Sequence, residues 1–188
     1  MPAPSARSAR PGAHATGSPS PGFLVRAARP DELGRAAVVR ARSWQQAFRG
    51  LLPDAMLDGF ADSVWTERLV AEWRDLVSAG GTVWVALDAA GGIVGVAQSE
   101  PDSDPAAPAP IRLSKLYLLD AAKGTGLADR LLHHTIGNQS AYLWVLDGNE
   151  RAQAFYRRHG FELDGAFLHL EDDLAHVREV RMVRAGER

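Results

Sequence analysis

Apolar residues settle into a helical rhythm at Leu33, Ala37, Ala41, Trp44 and Phe48, whose spacings of 4, 4, 3 and 4 draw one helix face. Pro30 suits the first turn of that helix, where a missing N–H costs nothing. Gly50 and Pro53 interrupt the pattern, and Trp65, Leu69, Trp73 and Leu76 resume it until Gly80-Gly81 stops it. Core packing is the expected role of both stripes. Ahead of them, residues 22–26 read as a short strand.

The rhythm then shortens to strand period. Residues 82–87 and 93–97 flank Asp88 to Gly92 as an antiparallel hairpin. A loop rich in Pro and Asp, 101–110, leads to a strand at 111–119, a glycine-containing turn at 123–126 and a helix at 127–136. A strand at 141–146, a helix at 150–159 and strands at 161–170 and 176–183 complete the chain. The order β-α-α-β-β-β-α-β-α-β-β predicts an α/β (α+β) fold, a mixed sheet of about seven strands with four helices against it.

Composition narrows the class. Residues 1–21 are almost wholly Ala, Ser, Pro, Gly and Arg and cannot bury enough apolar surface to offset the entropy of ordering. A disordered tail at 1–21 and one folded domain at 22–188 are expected. A net charge of −2 does not point to nucleic acid or a membrane surface. With no cysteine there is no disulfide, no thiolate metal site and no cysteine nucleophile. No apolar run approaches the length of a membrane span, and the N-terminus lacks the apolar core of a secretion signal, so a cytoplasmic protein is expected.

Two segments carry chemistry. In Leu116 to Ala128 a strand runs into a glycine turn that opens a helix. The first N–H groups of a helix lack intrahelical partners, and its N-terminus is positive, which suits a pyrophosphate. The turn is neither a dinucleotide fingerprint, since Asp129 stands where a third glycine is needed, nor a P-loop, and a plain tight turn is the competing reading. Asn149, Ala152 and Tyr156 are spaced 3 and 4 apart and share one helix face. Asn149 can bond a peptide-like group and Tyr156 can donate a proton. His133, His134 and His159 are expected to be structural, His159 at a helix C-terminus.

Leu116-Tyr117-Leu118, then Lys123-Gly124-Thr125-Gly126-Leu127-Ala128, then Asn149-x-x-Ala152-x-x-Phe155-Tyr156-x-x-x-Gly160-Phe161, together resemble the cofactor half of the GNAT acetyltransferases. The segment from Arg42-Ser43-Trp44 to Arg49-Gly50-Leu51-Leu52-Pro53 resembles the acceptor-side helices of one branch. The resemblance implies the GNAT acyl-CoA N-acyltransferase fold, with the strand before the glycine loop and the strand ending at Leu146 splayed apart. It implies acetyl-CoA as cosubstrate, no metal, and an amine of a small molecule, peptide or protein as acceptor. Backbone groups of Leu116 to Leu118 would pair with the pantetheine arm, amides of residues 123–128 would hold the pyrophosphate, Asn149 would bond the arm near the thioester, and Tyr156 would act as general acid. A homodimer is compatible with the family.

The chain departs from the family at the usual base positions, which hold Arg112 and Trp144. Glu100, Asp102, Asp104 or a water chain is expected to replace them. Lys123 stands where many relatives carry Arg or Gln; it keeps the charge and loses the planar fork. The loop 101–110 and the segment 44–60 are expected to line the acceptor pocket. A silent module that binds acetyl-CoA as a sensor or interaction domain is the second reading.

Overall fold

The computed structural model describes residues 22–50, 54–59, 63–170 and 177–186. The tail expected at 1–21 and the expected start of the last strand at His176 lie outside them. Seven strands form one sheet: β1 (Leu24–Ala27), β2 (Val83–Leu87), β3 (Ile93–Pro101), β4 (Ile111–Leu118), β5 (Ala141–Leu146), β6 (Glu162–His169) and β7 (Arg178–Arg184), in spatial order β1-β2-β3-β4-β5-β7-β6. Only the β4·β5 pair is parallel, and α4 (Leu127–Ile136) connects it.

The remaining helices are α1 (Leu33–Phe48), α2 (Asp54–Gly59), α3 (Ser63–Ser78) and α5 (Glu150–Arg158). Four of the five match the expected ones. The fifth, α2, is too short for a periodic signal and is held from outside, Gln45 Nε2 donating to the Leu57 carbonyl at 2.9 Å. Alternation along the strands covers both faces of the sheet. Val83, Val85 and Leu87 face α1 and Trp73 of α3, whereas Ala86 and Ala97 face α4. Gly95 lets α4 and the neighbouring strand sit close, because a Cβ there would stand 3.1 Å from Leu131 Cδ1 of α4 and 2.5 Å from Leu118 Cδ2 of β4. The α3 stripe departs from expectation at its start. Trp73 is fully buried but Trp65 is half exposed.

What positions the site is a wedge. β4 and β5 pair at a single position, Arg112 opposite Tyr142, near their N-terminal ends. The β3·β4 register then slips from Ser99↔Leu113 to Gln98↔Lys115, leaving Ser114 as an extra residue in β4. Such a bulge bends its strand and sharpens the local twist. Beyond it Leu116, Tyr117 and Leu118 pair with Ala97, Val96 and Gly95 of β3 and have no strand partner on the β5 side. The expected splay is present, and it opens toward the carboxyl ends of both strands.

One buried pair anchors the start of the fold. Glu32, with a side chain only 4% exposed, takes two bonds from Arg26, at 2.6 and 2.7 Å, and one from the Arg29 N–H at 2.9 Å. Arg26 above all, then the Arg29 amide, outweighs burial and holds the Glu32 carboxyl at about 2. Above the ordinary carboxylate range the pair contributes in full. As pH falls from about 4.5 toward 2, the unfolded chain takes up its proton first and the contribution is lost. Glu32→Ala is expected to cost about 2 kcal/mol, the scale of hydrogen bonds to a charged group. In thermal unfolding at neutral pH the variant should melt about 4–8 °C lower, and the gap should narrow with acid.

Candidate active site

The wedge contains a cavity of about 950 Å³. Strand β4 contributes Leu116, Tyr117 and Leu118; the turn after it contributes Lys123, Gly124 and Gly126, with Ala128 on the first turn of α4; the start of α5 contributes Asn149, Ala152 and Tyr156. The structure thus brings together nearly all the residues singled out from the sequence. Thr125 and Leu127 do not line the cavity. The Thr125 hydroxyl donates to the Ala122 carbonyl at 2.7 Å, and Leu127 is buried in the core, so each can offer only its backbone N–H.

At one end of the cavity lies the glycine turn. Gly124 and Gly126 hold φ of 78° and 77°, the left-handed region, and Gly126 is the N-cap of α4. A Cβ built on either would meet no protein atom within 4 Å, so the space before these amides is open. Lys123 pairs with Asp120, and His159 pairs with Asp129 at 2.9 Å, bridging α5 to the first turn of α4. Both rim acids near the turn therefore have side-chain partners.

Asn149 does more than the sequence suggested. It caps α5, its Oδ1 accepting from the Ala152 N–H at 3.1 Å, which leaves the amide NH₂ for the cavity it lines. Gln153 is buried and donates to the Leu146 and Asp147 carbonyls at 3.3 and 2.7 Å, locking the end of β5 to α5. Tyr156 packs edge-on against Phe155 and Phe161, with centroids 5.2 and 5.7 Å away. Burial, with Tyr117 nearby, pushes its phenol well above the usual value, so it is a neutral O–H at physiological pH. Tyr117 is raised too, by burial first, while Arg40 and a hydrogen bond from Trp44 oppose and Glu179 adds to the rise.

The acids expected to serve as base lie elsewhere. Glu100 pairs with Arg112 at 2.7 Å and accepts from Gln98 at 2.8 Å; burial would raise its carboxyl, but Arg112 and Ser114 hold it below the ordinary range. Asp102 accepts from the Tyr142 hydroxyl, which ties the loop 101–110 to the start of β5, and Asp104 accepts from the Ala106 N–H at 2.9 Å. None of the three, and no residue of 101–110, lines the cavity. The reason is the polarity of the wedge: this loop joins the sheet where β4 and β5 touch, and the cavity opens at their other ends.

The acceptor-side segment fares better. Ser43, Trp44, Ala47 and Phe48 line the cavity, so Trp44 is a wall residue rather than core; residues 51–53 and 60 lie outside the described ones. Trp144, at one of the usual base positions, is also on the wall, with Arg181 stacked 5.5 Å from its ring. One cavity acid went unnoticed in the sequence. Glu179 on β7 stands opposite Leu146 of β5, and burial raises its carboxyl. Only the β5·β7 pairing reveals it. Among the described residues no cluster of three His, Asp or Glu is placed to hold a metal ion, and no helix is long and apolar enough to cross a membrane.

Residues 79–163 match the family described as acetyltransferase (GNAT) domain. The chain is 28% identical over 145 residues to the probable N-acetyltransferase Rv2775 of Mycobacterium tuberculosis, a match covering 75% of this chain and 80% of that one. It is 38% identical over 81 residues to the uncharacterized N-acetyltransferase Rv2669 of the same species, covering 37% and 52%. Among solved structures, the PaiA N-acetyltransferase of Thermoplasma acidophilum in complex with coenzyme A superposes with a TM-score of 0.68 at 17% identity, over 87% of this chain and 98% of that one. The ribosomal-protein-alanine N-acetyltransferase of Brucella melitensis gives 0.64 at 20% identity, over 86% and 99%. At such identities the structures speak for the fold alone. The sequence matches and the wedged sheet agree: residues 79–163 match a GNAT acetyltransferase domain, and together they support a GNAT superfamily N-acetyltransferase.

Proposed function

We propose that this chain, as one domain over 22–188, transfers the acetyl group of acetyl-CoA to a primary amine by direct attack in a ternary complex. The observation that carries the reading is a single cavity with an open left-handed glycine turn at one end and a buried neutral phenol, Tyr156, within. The chain fits the cosubstrate. The free edge of Leu116 to Leu118 leaves backbone groups for an amide-bearing arm, and unoccupied space before Gly124 and Gly126 admits a pyrophosphate to the α4 amides. Lys123 adds a cation and the Asn149 NH₂ adds a donor. Acetyl-CoA supplies an activated acetyl group on a thiol leaving group. Tyr156 hydrogen-bonds the sulfur as that group departs, and the buried walls exclude water. Nothing in the cavity favours the silent-module reading, since a pure binder has no use for this phenol.

Thiol release from acetyl-CoA, measured with the full chain and a panel of alkylamines, arylalkylamines, polyamines and peptides, tests this. Amine-dependent release with a matching acetylated product is expected. Acetyl-CoA binding without amine-dependent release across the panel would sink the reading.

The double role of Asn149 gives a separable test. Asn149→Ser keeps a side-chain oxygen for the cap but removes the NH₂, so stability should hold while acetyl-CoA binds about fivefold more weakly. Asn149→Ala should lose about 1 kcal/mol of stability as well. Calorimetric titration beside thermal melts reads both; equal affinity in all three proteins assigns Asn149 to capping alone.

A further inference from the structure

Among the described residues three acids line the cavity, and two have partners: Asp120 with Lys123 and Asp129 with His159, both beside the glycine turn. The third, Glu179, has no cationic partner among the described residues. Its neighbour on β7, Arg178, is committed to Asp147. A carboxylate removed from water without a counter-charge is costly, and the site is completed when a cation arrives. The surroundings say what kind of cation. Trp44, Phe48, Leu146 and Leu170 form apolar walls, with Phe48 and Leu146 buried against Leu57 of α2. Ser43 is fully buried on the same wall, and its hydroxyl has no partner. The described lining therefore offers one carboxylate with no cation paired to it, one unused hydroxyl and an aromatic wall.

We propose that Glu179 receives the ammonium group of the acceptor and takes its proton, and that the acceptor is accordingly a monoamine on a compact apolar body. The inference rests on the acetyl-transfer reading for its chemical step. The ammonium gives one proton to Glu179. The freed electron pair on nitrogen forms the N–C bond, the C–S bond breaks with its pair on sulfur, and the second N–H proton reaches sulfur by way of Tyr156. Amide and thiol result, and Glu179 returns its proton to solvent. Partial burial raises the affinity of this carboxyl for protons and narrows its gap to an alkylammonium. Among the described residues, Tyr117 on β4 interacts with Glu179 and has Arg40 of α1 5.7 Å from its ring centroid, Tyr156 on α5 lines the same cavity, and the Arg178–Asp147 pair joins the neighbouring position of β7 to the end of β5. Both phenols are pushed upward and stay neutral where Glu179 titrates.

The test compares the parent with Glu179→Gln and Glu179→Asp, using 2-phenylethylamine and n-hexylamine as monoamines and spermidine as polyamine. Acetyl-CoA affinity and melting temperature should match across the three proteins, which certifies folding. For 2-phenylethylamine, kcat/KM should fall about tenfold to a hundredfold in Glu179→Gln and recover in part in Glu179→Asp. The parent's rise in kcat/KM with pH through the Glu179 titration should vanish in Glu179→Gln. Unchanged kcat/KM and an unchanged acidic limb would make Glu179 a packing residue, and a preference for spermidine would overturn the apolar-body assignment. If the parent acetylates no amine, the transfer reading falls by itself. Binding of 2-phenylethylamine to the CoA complex then decides the pocket: binding lost in Glu179→Gln supports it, and equal binding or none in both overturns it.

Discussion

Tyr156→Phe is expected to lower acetyl-transfer turnover by roughly ten- to a thousandfold while leaving acetyl-CoA affinity nearly unchanged. The substitution keeps the ring against Phe155 and Phe161 and removes only the hydroxyl. Among the described residues that hydroxyl has no hydrogen-bond partner, so its loss leaves no protein group unsatisfied and stability should hold. The effect sits at the modest end for acid catalysis for two reasons. A thiol of pKa near 8.5 leaves tolerably without help. A phenol raised by burial also gives a hydrogen bond more readily than its proton. Steady-state thiol release at saturating acetyl-CoA, with chemistry rate-limiting, measures turnover, and titration calorimetry measures affinity. Equal turnover in variant and parent would assign Tyr156 to packing.

Gly126→Val should weaken acetyl-CoA binding about a hundredfold or more. At φ 77° a β-branched residue is strained by roughly 1–2 kcal/mol, and relief of that strain would turn the amides that open α4. Because a Cβ here meets no protein atom within 4 Å, the isopropyl group would stand in the open space before those amides. Blocking even one hydrogen bond to a charged group costs about 1.5–3 kcal/mol. Gly126→Ala separates the two causes, since it carries the strain with less of the bulk and should fall between. Affinity is read by calorimetry and folding by thermal melting. A folded Gly126→Val that binds acetyl-CoA like the parent removes the turn from the cofactor site.

Much of this was legible in the chain. The helical stripe from Leu33 to Phe48, the hairpin around Asp88 to Gly92 and the glycine turn are local signals, each written within a dozen or so residues, and the structure places all of them as read. Helix α2 was not, because six residues give less than two turns of pattern and its anchor, Gln45, lies on another helix. The exposure of Trp65 was missed for a similar reason: periodicity says which residues share a face, not how much of that face is covered.

The acid within the cavity is the sharper case. The acids expected from the sequence, Glu100, Asp102 and Asp104, are held at the closed end of the wedge by Arg112, Tyr142 and their own loop. Glu179 sits far along the chain in a strand that reads as ordinary alternation. It joins the cavity because β7 inserts between β5 and β6, setting Glu179 opposite Leu146 and one diagonal step from Trp144, roughly 7 Å in such a ladder.

The sequence by itself determined most of the elements, the mixed sheet and the residues proposed for the cofactor half of the site, since a strand, a glycine turn and a helix start are contiguous and their backbone chemistry follows from local residue types. Only the tertiary structure decided which residues form the rest of the cavity. The β4 bulge at Ser114, the single β4·β5 contact at Arg112 and Tyr142, and the entry of β7 beside β5 set which side chains converge. Those are long-range pairings, fixed by packing on both faces of the sheet, and no spacing along the chain encodes them.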